Sequence, residues 1–438
     1  MYPGRLDITR RVLNVLLVPY PYTIKGEAIS AHETAAAAGR SMRDGSGADM
    51  HERDGRACWF NVALQDPPAL PSGTACMEEW ILGLVEAAKA ETKQLHGVVL
   101  PEGALSLATA QRVADRLIGT GIDFFISGIG DSTEHDKPRN NRIYGRMYWT
   151  DDDQQSHSRT WLQGKHHRWR LESNQICQYH LGHALHPSNV WWEHIELGAR
   201  KVELQGGVGG GALTALICED LARIDPVQTV LRSTGPNLVF ALLMDGPQLP
   251  QRWSARYATV LADDPGSSVI TLTSLGMVKR SFAPGDNERL CVGLWKDSSG
   301  TTRELLLPQE HHALLLSLTR HRVEQFTLDG RSDGKSTAQL SLGGVHALKW
   351  QKPKPSEQPA SAEAPRTQAP PAHRSPQSSR GAASPGWTYE KYARAAHGIA
   401  YRVAYPNNAK VCEAGSGVGL TRECVDDARE HAPITSGE

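Results

Sequence analysis

Three residue types with the chemistry for acyl transfer stand in order along the chain. Glu102 sits in VVLPEGAL, Lys165 in WLQGKHHRW, and Cys218 in ALICEDLAR. Each follows a short apolar or β-branched run, so each is expected where a strand gives way to a loop, and such loops carry function on α/β scaffolds. A thiolate attacks a carbonyl or nitrile carbon. A carboxylate takes the thiol proton and later activates water, and a fixed cation holds the oxyanion. Taken singly, the bland readings win: a Pro-Glu turn, a solvated lysine and a buried structural cysteine. Together and in order, they favour a thiol-dependent site.

The elements that must position them alternate. Residues 14–19 read as a buried strand and 75–94 as an amphipathic helix, with Trp80, Leu82, Leu84, Val85 and Ala88 as its apolar positions. A strand ends at Glu102, 107–119 form a second helix, and 124–129 form another strand. Further on, a glycine-rich turn (GGVGGG) leads into a strand that ends at Cys218, and residues 219–233 read as helix. Strands at 237–243 and 267–275 flank a helix at 250–263, and a hairpin turns at Ser298-Ser299-Gly300. This alternation is an α/β signal. Residues 23–74 show no period and read as an irregular insertion.

VVLPEGAL, the Lys165 segment and LICEDLAR together resemble the three motifs of the nitrilase, or carbon–nitrogen hydrolase, superfamily. The likeness spans roughly residues 10–320. It implies a four-layer α-β-β-α sandwich with Glu102 as general base, Lys165 as oxyanion stabiliser and Cys218 as nucleophile. It implies a second glutamate after the lysine, for which Glu172 has a similar spacing. It also implies homo-oligomers, a small-molecule amide or nitrile as substrate, and a reaction that needs no cofactor. The pattern K-x-H-R-W-x-x-E…Q-I-x-x-Y-x-L-G is similar to nitrilase modules that accompany bacterial antiviral reverse transcriptases, which implies a reverse transcriptase or other defence-system partner. Two other readings use the same residues: a non-hydrolytic interaction or effector module of such a system, and acyl transfer to an amine.

Other features carry less. His166 and His167 adjoin Lys165, but no partner set completes a metal site. Trp169, Trp191 and Trp192 read as core or interface, and Arg223 as a helix cap or an acid's partner. Backbone N–H groups at the helix start after Cys218 are expected to lower its thiol pKa. The run EAGSGVGL lacks the strand and helix of a dinucleotide site.

The chain has 438 residues with 47 Lys+Arg against 48 Asp+Glu, a net charge of -1, which argues against a chain-wide polyelectrolyte role. No run approaches the ~18 apolar residues of a membrane span. Seven sparse cysteines favour a reducing compartment, and a cytoplasmic protein is expected. The boundaries read as a hydrolase-like domain over 1–330, an extension over 331–350, a linker over 351–386 and a short tail or small module over 387–438. Eight of the linker's 36 residues are proline, a composition that cannot offset its ordering entropy by burial.

Overall fold

The computed structural model describes residues 11–32, 58–63, 70, 74, 76–131, 139–151, 154–208, 211–283, 288–324, 336–350, 389–394 and 400–405. The expected linker lies outside these residues, as do the tail's remaining parts.

Two large sheets face each other. The first contains β1 (Val12–Leu17), β4 (Gly97–Leu105), β5 (Phe124–Asp131), β6 (Asn140–Thr150), β7 (Ser156–Gly164), β16 (Ala313–Glu324) and β17 (Ser336–Leu348). Their spatial order is β17-β16-β1-β4-β5-β6-β7. β1, β4 and β5 run parallel. The second sheet has the order β15-β14-β13-β12-β11-β10-β19-β18. It comprises β10 (Lys201–Val208), β11 (Gly211–Ile217), β12 (Leu238–Leu243), β13 (Ser268–Thr273), β14 (Cys291–Lys296), β15 (Thr302–Leu306), β18 (Tyr389–Arg394) and β19 (Ala400–Tyr405). β11, β12 and β13 are parallel.

The period-2 pattern of strands sorts their side chains between layers. Val15 and Leu17 of β1 face the second sheet, in one core with Leu213, Ala215, Phe240 and Ile270. Leu16 points the other way, with Val98 and Leu100, into a core roofed by α1 (Met77–Glu91) and α2 (Leu107–Arg116). α1 buries Trp80, Ile81, Leu84, Val85 and Ala88, one face of a helix. The Ser106 hydroxyl caps α2 by accepting from Thr109 N at 3.2 Å. On the far side of the second sheet lie α4 (Thr229–Thr234), α5 (Trp253–Asp263) and α6 (Leu275–Arg280). Leu231, Ala258, Leu261 and Val278 from these helices belong to the apolar cluster that continues through the second sheet. The architecture is the expected α-β-β-α sandwich.

Two regions differ from the sequence expectation in detail. The segment 219–233 is not one helix: a 3₁₀ turn at Cys218–Ala222 passes into a wide turn at Ile224–Gln228 before α4. Residues 23–74 are not wholly irregular. They hold β2 (Ile29–Ala31) and β3 (Cys58–Val62), which join β8 (Arg170–Leu171) and β9 (Trp191–Glu193) in a third sheet of order β2-β3-β9-β8. Strands of three and five residues are too short to show a period. This small sheet buries Phe60, Trp169, Leu171 and Trp191 against Met244 and Met277, which follow the carboxyl ends of β12 and β13. Past residue 330, β17 pairs with β16 along its length. In the tail, β18 and β19 form a hairpin, and β19 lies parallel to β10. Among the described residues, no helix is long and apolar enough to cross a membrane.

Candidate active site

Four strands deliver four side chains to one end of the sandwich. Glu102 comes from a bulge in β4. That strand pairs with β5 at Leu100↔Ser127 and again at Leu105↔Ile129, so extra residues bow out around Glu102. The fit is tight: a Cβ on Gly128 would meet the Glu102 Cα at 2.4 Å and the Pro101 carbonyl at 2.5 Å. Gly103, at φ +62°, completes the bend. Lys165 follows the end of β7, and its backbone N–H donates to the Asn141 carbonyl at 2.9 Å. Cys218 follows the end of β11 with φ +42°. That left-handed conformation costs a non-glycine residue on the order of 1–3 kcal/mol, and it turns the thiol away from the strand direction.

The fourth residue is Glu193, at the end of β9. Lys165 Nζ donates to Glu102 Oε1 at 2.7 Å and to Glu193 Oε2 at 2.7 Å. Its side chain is wholly buried, and Glu102 and Glu193 are nearly so. Asn141 Nδ2 bridges the same carboxylates, donating to Glu102 Oε1 at 2.7 Å and Glu193 Oε1 at 2.8 Å. Trp169 N adds a bond to Glu193 Oε2 at 3.0 Å. Glu102 Oε2 is buried with no hydrogen-bond partner among the described residues. One oxygen of this carboxylate is therefore committed to Lys165 and Asn141, and the other is open to a new proton.

Two ties hold the Lys165 and Cys218 strands together across the sheets. Gln163, two residues before Lys165, donates to the Ala215 carbonyl of β11 at 3.0 Å and accepts from Glu203 N at 2.7 Å. Asp220, two residues after Cys218, is fully buried and accepts from His166 N at 3.0 Å and His167 N at 3.1 Å. His167 Nδ1 lies 3.0 Å from the same carboxylate. The paired histidines thus serve as anchors of the lysine turn. Among the described residues no group of His, Cys, Asp and Glu is arranged to hold a metal.

The electrostatics follow from burial. Burial pushes Glu102 above the usual carboxylate range. Lys165 opposes this, and Glu193 adds to it. Burial alone would lower Lys165, but Glu102 and Glu193 outweigh it and hold the ammonium well above its ordinary value. The Cys218 thiol is pushed well up, first by burial and then by the Glu102 charge, with Lys165 pulling the other way. The expectation of a lowered thiol is overturned. The turn after Cys218 is a five-residue 3₁₀ segment, and it carries two carboxylates of its own, Glu219 and Asp220.

Of the three residues expected from the sequence, Glu102 and Lys165 are in direct contact, and Cys218 lies near enough to feel the charge of both. Glu172 does not join them. It caps α3 (Ser173–Gln178), its exposed carboxylate pairs with Arg170 at 2.7 Å, and Glu193 occupies the position expected of it. Asn141 and Glu193 are the residues that sequence reasoning missed. Glu193 carried a signal, since VWWE ends an apolar run in a carboxylate as VVLPE does. Arg223 pairs loosely with Glu219 at 3.6 Å. Trp169 and Trp191 are buried in the small-sheet core, and Trp192 lies under Arg170.

No family model matches the chain, and no curated protein does. Among solved structures, the chain is similar to Saccharomyces cerevisiae Nit3, a member of branch 10 of the nitrilase superfamily, at 12% identity and a TM-score of 0.36, over 68% of this chain and 88% of that one. It is similar to a carbon–nitrogen hydrolase from Helicobacter pylori at 9% identity and a TM-score of 0.35, over 68% and 87%. It is also similar to XC1258 from Xanthomonas campestris, a CN-hydrolase superfamily protein, at 14% identity and a TM-score of 0.32, over 55% and 82%. These structural neighbours are nitrilase, or carbon–nitrogen hydrolase, superfamily members.

Proposed function

We propose that the chain is a thiol-dependent hydrolase of non-peptide carbon–nitrogen bonds, acting on a small amide or nitrile. One observation carries this reading: a fully buried lysine clamped between Glu102 and Glu193, beside a strained cysteine, with Glu102 Oε2 left open. A buried ion pair is weak support for stability, because desolvation offsets its Coulomb gain. Its value here is a fixed cation beside a base.

With an amide, the Cys218 proton passes to Glu102 Oε2 as sulfur bonds to the carbonyl carbon. The carbonyl oxygen takes the electron pair and is held by Lys165. The oxyanion collapses, the C–N bond breaks, and the Glu102 proton leaves with the amine. Glu102 then takes a proton from water, whose oxygen attacks the thioester, and the thiol recovers its proton as the acid departs. An amine in place of water would give acyl transfer through the same intermediate. We place the protein in the cytoplasm on its cysteine usage. We place it beside a defence-system reverse transcriptase on the K-x-H-R-W resemblance, which the identity of the neighbouring gene tests.

The experiment is ammonia release from a panel of short aliphatic amides and nitriles, with intact-mass detection of an acyl adduct. Turnover is expected, with the adduct on the Cys218 peptide. It disappears in Cys218→Ala and falls by at least ~10²-fold in Glu102→Gln. Turnover that survives Cys218→Ala, or an adduct on another residue, overturns the assignment.

A further inference from the structure

Glu219 immediately follows the nucleophile, in the 3₁₀ turn that Cys218 opens. A carboxylate there is a problem for the reaction proposed above, because negative charge builds on sulfur and then on oxygen beside it. Burial outweighs Lys165, Arg223 and His167, which all favour the Glu219 charge. Lys165 is held by Glu102 and Glu193, and Arg252 by Asp245. Asp220 is satisfied by the N–H groups of the lysine turn. Among the described residues Glu219's ion pair is with Arg223, at 3.6 Å and 45% exposed, with no hydrogen bond between them. The Glu219 side chain is 24% exposed, so it is partly desolvated yet reachable from solvent. It adjoins Cys218 in one turn, its charge adds to the upward push on the thiol, and burial raises its own carboxyl.

A partly buried carboxylate with an incomplete ion pair beside a forming anion is stabilised by a cation that arrives with the substrate. We infer that Glu219 is a specificity-determining residue that selects substrates bearing a positive charge, an amine or guanidine group, close to the scissile carbon–nitrogen bond. The inference rests on the reading of Cys218 as nucleophile. The cation of the substrate displaces Arg223, whose exposed side chain swings into water. Neutral aliphatic amides leave Glu219 uncompensated and are the poorer substrates.

The test uses the full chain and three thiol probes of one chemistry: trimethylammonioethyl (cationic), sulfonatoethyl (anionic) and methyl (neutral) methanethiosulfonate. Rates are read on the Cys218 peptide by mass spectrometry. The neutral probe normalises for folding and thiol pKa. In the wild type, the cation-to-anion rate ratio is expected to exceed that of Glu219→Gln by about tenfold, because loss of the charge slows the cationic probe and speeds the anionic one. Arg223→Ala is expected to raise the ratio, because it removes the competing cation. A ratio unmoved by Glu219→Gln, with normal neutral-probe rates, overturns the selectivity and leaves the hydrolase reading standing. A Cys218 whose neutral-probe rate, read up to alkaline pH, is indifferent to Lys165→Met takes down the hydrolase reading and this inference with it.

Discussion

Replacing Lys165 with methionine removes the one cation of the buried cluster while keeping its stem. Two Nζ–carboxylate contacts of 2.7 Å are lost. At an effective dielectric of ~20, each is worth about 6 kcal/mol of attraction. The desolvation of three buried charges offsets most of that. The measurable cost is that of leaving charges unpaired, about 3–5 kcal/mol for a broken buried pair. The cost must depend on pH. Glu102 is already held above the usual carboxylate range by burial and by Glu193, and without Lys165 it rises further. A carboxyl whose folded pKa is raised contributes stability that is full below its unfolded value of ~4.3 and is lost as pH rises through the folded value. Urea unfolding of wild type and Lys165→Met, followed by tryptophan fluorescence at pH 5, 6.5 and 8, is expected to show a gap of about 1 kcal/mol at pH 5. The gap should widen to about 3–5 kcal/mol at pH 8. A gap that is constant, or that narrows as pH rises, refutes the picture of a charged lysine between two carboxylates.

Three further outcomes follow from the same geometry. Glu193→Gln removes a charge that raises Glu102, so the acid limb of amide turnover moves to lower pH, whereas Glu172→Gln leaves limb and rate within about twofold because that exposed carboxylate caps α3 and pairs with Arg170, away from Lys165. Asp220→Ala strips the acceptor from the N–H groups of His166 and His167. It should cost about 1–3 kcal/mol in thermal or urea unfolding and slow iodoacetamide alkylation of Cys218 as Lys165 loosens, with Asp220→Asn intermediate because it keeps one acceptor oxygen. Phe60→Ala empties the core of the small sheet at about 3–5 kcal/mol. Turnover per folded molecule should fall with it, because β3 holds the strand that carries Glu193; unchanged turnover would detach the small sheet from the site.

The parts of this site that were legible in the sequence share one property. VVLPE, WLQGK and ALIC each put a reactive residue at the end of a run long enough to read as a strand. Glu193 closes a strand of only three residues, Trp191–Glu193, whose partner β3 lies in a segment without period. Its place depends on pairing between residues more than 130 positions apart, Cys58↔Trp191, and pairing at that distance leaves no local pattern. Glu172 drew the assignment because sequence spacing from the lysine was the only ruler available. Asn141 lies in RNNRIYG among polar neighbours of equal promise, and only the meeting of β6 with both carboxylates distinguishes it. The direction of the thiol shift was misread for a related reason. A helix N-terminus lowers a thiol pKa, but how deep the thiol is buried and how close the Glu102 charge lies are tertiary facts, and here they dominate.

A thiol held up by burial is not a defect in a nucleophile of this kind, because charge conservation across the cluster explains how it reacts. At rest, one ammonium stands against two carboxylates, and a thiolate would be a third anion in a dry site. Passing the Cys218 proton to Glu102 Oε2 keeps the net charge unchanged while moving the anion from Glu102 to sulfur. The attraction that bound Lys165 to Glu102 is then available to sulfur, and to the oxyanion that forms next, without any group moving far. The proton therefore moves with the attack and not before it. Reagents that need a resting thiolate should react slowly at neutral pH, and an electrophile that accepts the proton transfer should react quickly. Comparing iodoacetamide with an aldehyde analogue of the best amide found in the panel measures this directly. Equal sensitivity of both to pH between 6 and 9 would mean that the thiolate forms first, contrary to the charge balance drawn from the buried cluster.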